Sequence, residues 1–344
     1  MRRNNKVLRY VTVILLSLTG IVSSYSANSA GAAEKINCST KECFKAALAK
    51  YSLTHSPAQE ITNFEQLSKE SNGMNGSCND LGREMGYRLF EELGMGAFKY
   101  FSIECGHSVE YGIFEKYGKK SSSIDENFLK EYCLKDANPP SCTFGFGLAI
   151  AKYSMSKAYK SCETNFQAYD KSERKPESFQ MSARGDCFNG FLSYYSNSVK
   201  PMSSVASIKK ECRSIPSEYG SICTGILGYN YLNNSEKDYQ VIRKKLKEIR
   251  NECTSKSSFE CMQFVGKNTD QVLTYKLGIS PRDSKNLKLY GELVNEICQG
   301  YNAKGCITGV IQSHIVHTSH VEMYSICNQL KEKTYCKATA KAHV

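Results

Sequence analysis

Strand signals are missing from this 344-residue chain: no stretch alternates β-branched with polar residues, and Asn75-Gly76 is flanked by polar residues rather than by two apolar runs. That excludes a sheet-built fold. The familiar catalytic templates are missing too. There is no G-x-S-x-G elbow, no phosphate-cradling G-x-x-x-x-G-K-[ST] loop, no dinucleotide glycine fingerprint and no H-E-x-x-H helix. No C-x2-C pair is present, which excludes the common structural zinc sites. Carboxylates such as Glu91, Glu92 and Glu110 carry no spacing that singles out a general acid and base. Tryptophan is absent altogether, while tyrosine numbers 22 and phenylalanine 15.

The apolar run at the N-terminus is short. Arg2, Arg3, Lys6 and Arg9 precede the twelve apolar-rich residues Val11 to Val22, and small residues follow up to Ala33, with Ala30-Gly31-Ala32 as a cleavage signature. This is the pattern of a secretory signal peptide over residues 1–33; a membrane span needs about 20 apolar residues, and no second such run follows. Without those four cations the chain holds 41 basic and 34 acidic residues, a net +7. The basic runs Arg243-Lys244-Lys245 and Lys171 to Lys175 have no interleaved aromatics, which argues against nucleic acid as a partner.

Sixteen cysteines fall into eight consecutive pairs: Cys38/Cys43, Cys78/Cys105, Cys133/Cys142, Cys162/Cys187, Cys212/Cys223, Cys253/Cys261, Cys298/Cys306 and Cys327/Cys336. An even count behind a signal peptide implies disulfides and an extracytoplasmic, secreted or periplasmic location. It leaves no free thiol for catalysis or metal binding.

Helix signals dominate the rest. Capping boxes, in which an N-cap hydroxyl and an N3 carboxylate satisfy orphan amides, stand at Ser39–Glu42, Thr62–Glu65, Ser123–Glu126, Ser257–Glu260 and Ser319–Glu322. Ser56-Pro57 and Ser280-Pro281 add a polar cap followed by proline. The chain reads as all-α. Cys133, Cys212, Cys253 and Cys298 each close an amphipathic run, and Cys142, Cys187 and Cys306 each open an apolar one with glycine three residues on. A bridge of this kind spans the turn of a helical hairpin, giving one disulfide per hairpin. Second cysteines recur at intervals of 45, 36, 38, 45 and 30 residues, room for two helices and two loops.

That period resembles tetratricopeptide-like and other α-hairpin solenoids, and implies an irregular, solenoid-like hairpin repeat stapled by cystines. Cys78-Asn-Asp-Leu-Gly82, Cys105-Gly-His107 and Cys142-Thr-Phe-Gly145-Phe-Gly147 look like eroded C-x-H-G and C-x-H-G-x-G-H elements of secreted cysteine- and histidine-containing helical proteins of unsettled function. Only His107 keeps a motif histidine; Asn79, Phe144 and Leu148 replace the others, so the resemblance implies fold and compartment rather than activity.

The expected organisation is a signal peptide (1–33), an N-terminal hairpin and Ser/Asn/Gly linker (34–77), a cystine-stapled helical repeat domain (78–336) and a frayed basic tail (337–344). A polar stretch, Asp170 to Arg184, reads as a long exposed loop. Three functions are open: a non-catalytic scaffold binding a protein or envelope surface; a metal-binding or enzymatic envelope protein using His314, His317 and His320, spaced three apart; and a structural envelope or matrix protein. For the first, Tyr194, Tyr195, Tyr229 and Tyr231 are the candidate groove residues, since tyrosine offers contact area with a polar tip. No cofactor is implied.

Overall fold

The computed structural model describes residues 42, 43, 46, 49, 55–70, 78–100, 102–135, 139–174, 182–254, 259–300, 302–315 and 320–342. Among them are fifteen α-helices and no strand. No helix among the described residues is long and apolar enough to cross a membrane. The expected signal peptide, Cys38, His317 and the linker from 71 to 77 lie outside the described residues.

The helices start where side chains satisfy their first amides. Helix α1, Pro57–Glu70, begins at Ser56-Pro57 as expected, and Thr62 falls inside it, donating its hydroxyl to the Ala58 carbonyl at 3.0 Å rather than capping anything. Helices α2 (Cys78–Leu93) and α3 (Glu104–Lys120) follow, and then α4 (Glu126–Lys135), capped not by Ser123 but by Asp125, whose carboxylate accepts from Phe128 N at 3.0 Å. Glu126 is thereby freed to accept from Tyr153 and from Ser161 and Asn165 of the helix α6 (Met155–Tyr169), at 2.7–2.9 Å. Between them lies α5, Pro139–Ala149. Helix α7 (Ala183–Tyr194) is capped by Ser182, and α8 (Val205–Cys212) by a reciprocal Ser204/Ser207 box, which the Glu/Gln pattern does not detect. Helices α9 (Ser217–Asn233), α10 (Tyr239–Thr254) and α11 (Phe259–Gln271) lead to α12, Ser284–Ile297, capped by Asp283 instead of Ser280. Helices α13 (Ala303–Ile315), α14 (His320–Gln329) and α15 (Lys333–Ala342) complete the chain. The basic tail is therefore helical through Ala342, and Ala340 is buried in the core.

Seven disulfides join sequence-adjacent cysteines, from Cys78–Cys105 to Cys327–Cys336, with Cα–Cα separations of 5.1–5.7 Å. Cys43 is also disulfide-bonded. Six of the seven link one α-helix, or its C-cap residue in the case of Cys298, to the next α-helix. Cys162 lies in the middle of α6, unlike Cys133, Cys212, Cys253 and Cys298, which stand at or near a helix end. Cys78–Cys105 is no hairpin staple: Gly82 meets Ser108 and Gly86 meets Gly112, so α2 and α3 run parallel and the bridge ties start to start. The intervening return leaves Cys105, Gly106 and His107 in left-handed conformation, with φ of 54°, 64° and 62°.

From α3 to α15 the second helix of each linked pair packs on the second helix of the next. The reason for the Cys-x-x-Gly pattern is visible there. A Cβ at Gly190 would overlap the Phe144 carbonyl oxygen and one at Gly309 the Gln263 carbonyl oxygen, so these helices touch backbone to backbone, while one at Gly145 would strike the Phe114 ring. One apolar core runs without interruption from Ile61 to Ala340.

The segment expected as an exposed loop is anchored at both ends. Asp170, which is buried, opens a turn of π-helix, Asp170–Arg174, and accepts from Ala183 N at 2.7 Å and from the Arg184 guanidinium at 2.9 Å. Arg184 also reaches Glu163 at 2.9 Å, and Glu163 accepts from Tyr219 at 2.5 Å. Asp170 and Arg184, the two ends of a stretch that looks solvated in sequence, thus satisfy each other, with Glu163 as a further acceptor for Arg184.

Candidate functional site

A cleft of about 330 Å³ opens across α2, α3, α5 and α7. Helix packing dictates its lining. Arg83 and Tyr87 are one turn apart on α2, each directly following a glycine, Gly82 or Gly86, that is pressed against α3. Glu115 and Lys119 form the matching pair on α3. Leu148 supplies the apolar floor from α5, and Tyr194 stands on the last turn of α7.

Beyond Tyr194 the chain continues as a turn of π-helix, Tyr195–Val199, that brings Asn197 and Ser198 to the cleft. Such turns interrupt an α-helix at a cost and recur at functional positions. Here the turn is pinned from inside: the buried Ser196 hydroxyl donates to the Leu192 carbonyl at 2.7 Å and accepts from Asn230 of α9.

Inside the cleft Glu115 is buried, its side chain only 1% exposed, and accepts from both the Arg83 guanidinium and the Tyr87 hydroxyl. Burial, reinforced by the Glu115 charge, holds the Tyr87 phenol far above its ordinary pKa, so it stays a hydrogen-bond donor throughout the physiological range. The Lys119 ammonium lies 4.7 Å from the centre of the Tyr87 ring and 5.1 Å from that of Tyr194, bridging the two aromatic walls. Asp80 and Glu84 complete the α2 side. The arrangement offers fixed hydrogen-bonding groups, two phenol faces and a movable cation.

The expected groove tyrosines divide. Tyr194 lines the cleft; Tyr195 is 7% exposed and donates to Glu211 at 3.3 Å, and Tyr231 is 8% exposed beneath the Lys245 ammonium, so both are core residues. Tyr229 is half-buried, its phenol pKa raised by burial and by Tyr275. The structure does not bring these four together.

Of the expected metal-site histidines, His317 lies outside the described residues, His320 opens α14, and His314 stands on α13. This residue is buried, and its Nε2 is committed to Asp270, with the Tyr290 hydroxyl 3.2 Å away. Tyr290 itself donates to Asp270 at 2.6 Å, so the three side chains form a closed polar knot between α11, α12 and α13. No group of three or more potential metal ligands occurs among the described residues.

Arg83, Tyr87, Glu115 and Lys119 escaped sequence reasoning. Their signal is the i, i+4 spacing beside Gly82 and Gly86, which acquires meaning only once α2 is known to lie parallel against α3. Comparison with protein-family models, curated proteins and solved structures gives no match.

Proposed function

We propose that this chain is an extracytoplasmic helical-repeat scaffold that binds a protein component of an envelope or its surroundings, without catalysis, through the cleft on α2, α3, α5 and α7. One observation carries the reading: α2 and the three successive stacked helices α3, α5 and α7 line a single groove, with polar and aromatic side chains from α2, α3 and α7 and Leu148 from α5. The hairpin stack is read as a solenoid-like array, the arrangement that generates extended binding surfaces. Cystines and backbone-to-backbone glycine contacts hold that surface rigid, so little ordering entropy is lost on binding. The secretory pattern at residues 1–33 and the cystines support an oxidising compartment.

Photo-crosslinking tests this. A benzoylphenylalanine placed at Tyr194 should crosslink to a polypeptide partner in the native envelope or secreted fraction, whereas the same probe at exposed Lys210 on α8 should not. Equal labelling from both positions, or labelling from Lys210 alone, would refute the cleft as the binding surface.

A further inference from the structure

The cleft carries three carboxylates, Asp80, Glu84 and Glu115, against two cations, Arg83 and Lys119, on a chain whose overall charge is +11. It is thus an acidic recess in a basic protein. Glu115 and Arg83 neutralise one another in its wall. What occupies the space between the phenol rings is the chain's own ammonium. Lys119 Nζ stands at cation–π range from both Tyr87 and Tyr194, while its contact with the Tyr87 hydroxyl is long, at 3.4 Å. Lys119 is exposed and carried on a flexible stem, so it can leave at little cost. Tyr87 cannot: its hydroxyl is fixed on buried Glu115.

From this we infer that the cleft receives an arginine or lysine side chain of an extended polypeptide, and that Lys119 holds the same place in the free protein. A guanidinium suits the position better than the ammonium, because it is planar, weakly hydrated and stacks on aromatic faces. Asp80 and Glu84 supply the charge complement on the α2 side. The inference rests on the reading of the cleft as a polypeptide-binding groove, and it names the chemistry that groove selects. It also fixes a sign. A basic ligand competes with Lys119, so removing Lys119 strengthens binding; an acidic ligand would need Lys119, so removing it would weaken binding.

The test uses the full chain, titrated with acetyl-Gly-Arg-Gly-amide and acetyl-Gly-Glu-Gly-amide and followed by NMR signals of the cleft. The arginine peptide should bind and the glutamate peptide should not. Lys119→Met should tighten the arginine peptide by about two- to five-fold, and the Asp80→Asn, Glu84→Gln double variant should weaken it by a similar factor. All three substituted side chains face solvent at least in part, so the fold is retained and is checked by the thermal midpoint. Preference for the glutamate peptide, or weakening by Lys119→Met, overturns the inference while leaving the groove reading in place. Failure of the arginine peptide to move cleft signals in either protein also overturns it; the groove reading falls with it only if crosslinking from Tyr194 fails as well.

Discussion

Gly309 of α13 lies directly on the Gln263 carbonyl of α11: a Cβ there would overlap the carbonyl oxygen and stand 2.9 Å from Lys267 N. The neighbour is backbone, held by its own helix, and cannot step aside as a side chain could. Gly309→Ala therefore forces α11 and α13 apart and should destabilise the protein by about 1–3 kcal/mol despite alanine's better helix propensity. Gly220, with open space around its Cβ position, is the control: the same substitution there should be neutral or stabilising. Urea midpoints of the two variants decide, and equal midpoints would show that the close contact carries no energetic weight.

That contact also shows why some of the fold is legible in sequence and some is not. Cys306-Ile-Thr-Gly309 and Cys187-Phe-Asn-Gly190 mark the start and the packing face of a helix in four residues, because cystine geometry and backbone contact each admit one residue type. The caps are less legible. Ser123 and Ser280 fit the consensus, yet Asp125 and Asp283, two or three residues on, do the work, since any short side chain with an acceptor serves at that position. The cleft was legible only at Tyr194. Tyr195 and Tyr231 look equivalent to it in composition, but burial is decided by which neighbouring helix covers them, a fact of the stack and not of the local sequence.

Glu60 on α1 makes the stability of the N-terminal part depend on pH. It is 1% exposed, and burial raises its pKa from 4.5 to about 7, with Glu92 adding to the rise and Arg88 and His55 opposing it. The folded state thus holds a proton that the unfolded state releases, and stability falls as pH rises from about 4.5 through about 7. Below that window the contribution is fully present. Glu60→Gln should flatten the dependence, so that denaturation midpoints at pH 5 and pH 8 converge relative to the parent protein. An unchanged pH slope in the variant would rule Glu60 out as its source.

The Asp270–Tyr290–His314 knot is expected to act in stability rather than in metal binding. Tyr290 is fully buried, and its hydroxyl is a donor to Asp270 at 2.6 Å. Tyr290→Phe removes that donor without removing the ring and should cost about 1–3 kcal/mol, the usual penalty for leaving a buried acceptor short of a partner. Chemical denaturation measures the loss; the content of bound transition metal, measured on the same samples, should not differ between parent and variant. A stable variant that had lost a metal would reverse the assignment.

The cystines give the last expectation, because their pairing and their energetic role can be separated. Non-reducing peptide mapping should recover Cys133–Cys142, Cys162–Cys187, Cys212–Cys223, Cys253–Cys261, Cys298–Cys306 and Cys327–Cys336, together with Cys78–Cys105. Replacing Cys253 and Cys261 together by serine opens a bridge between residues only 8 apart in sequence, where loop-closure entropy alone gives about 2–3 kcal/mol. Both sulfurs are buried, so the paired hydroxyls add a desolvation cost. Even so the helices on either side of α10 and α11 remain stapled, so the loss should appear as a lowered unfolding midpoint of a still-helical protein. Collapse of the far-ultraviolet dichroism at room temperature in this one variant would mean that the cystines build the hairpins instead of reinforcing them.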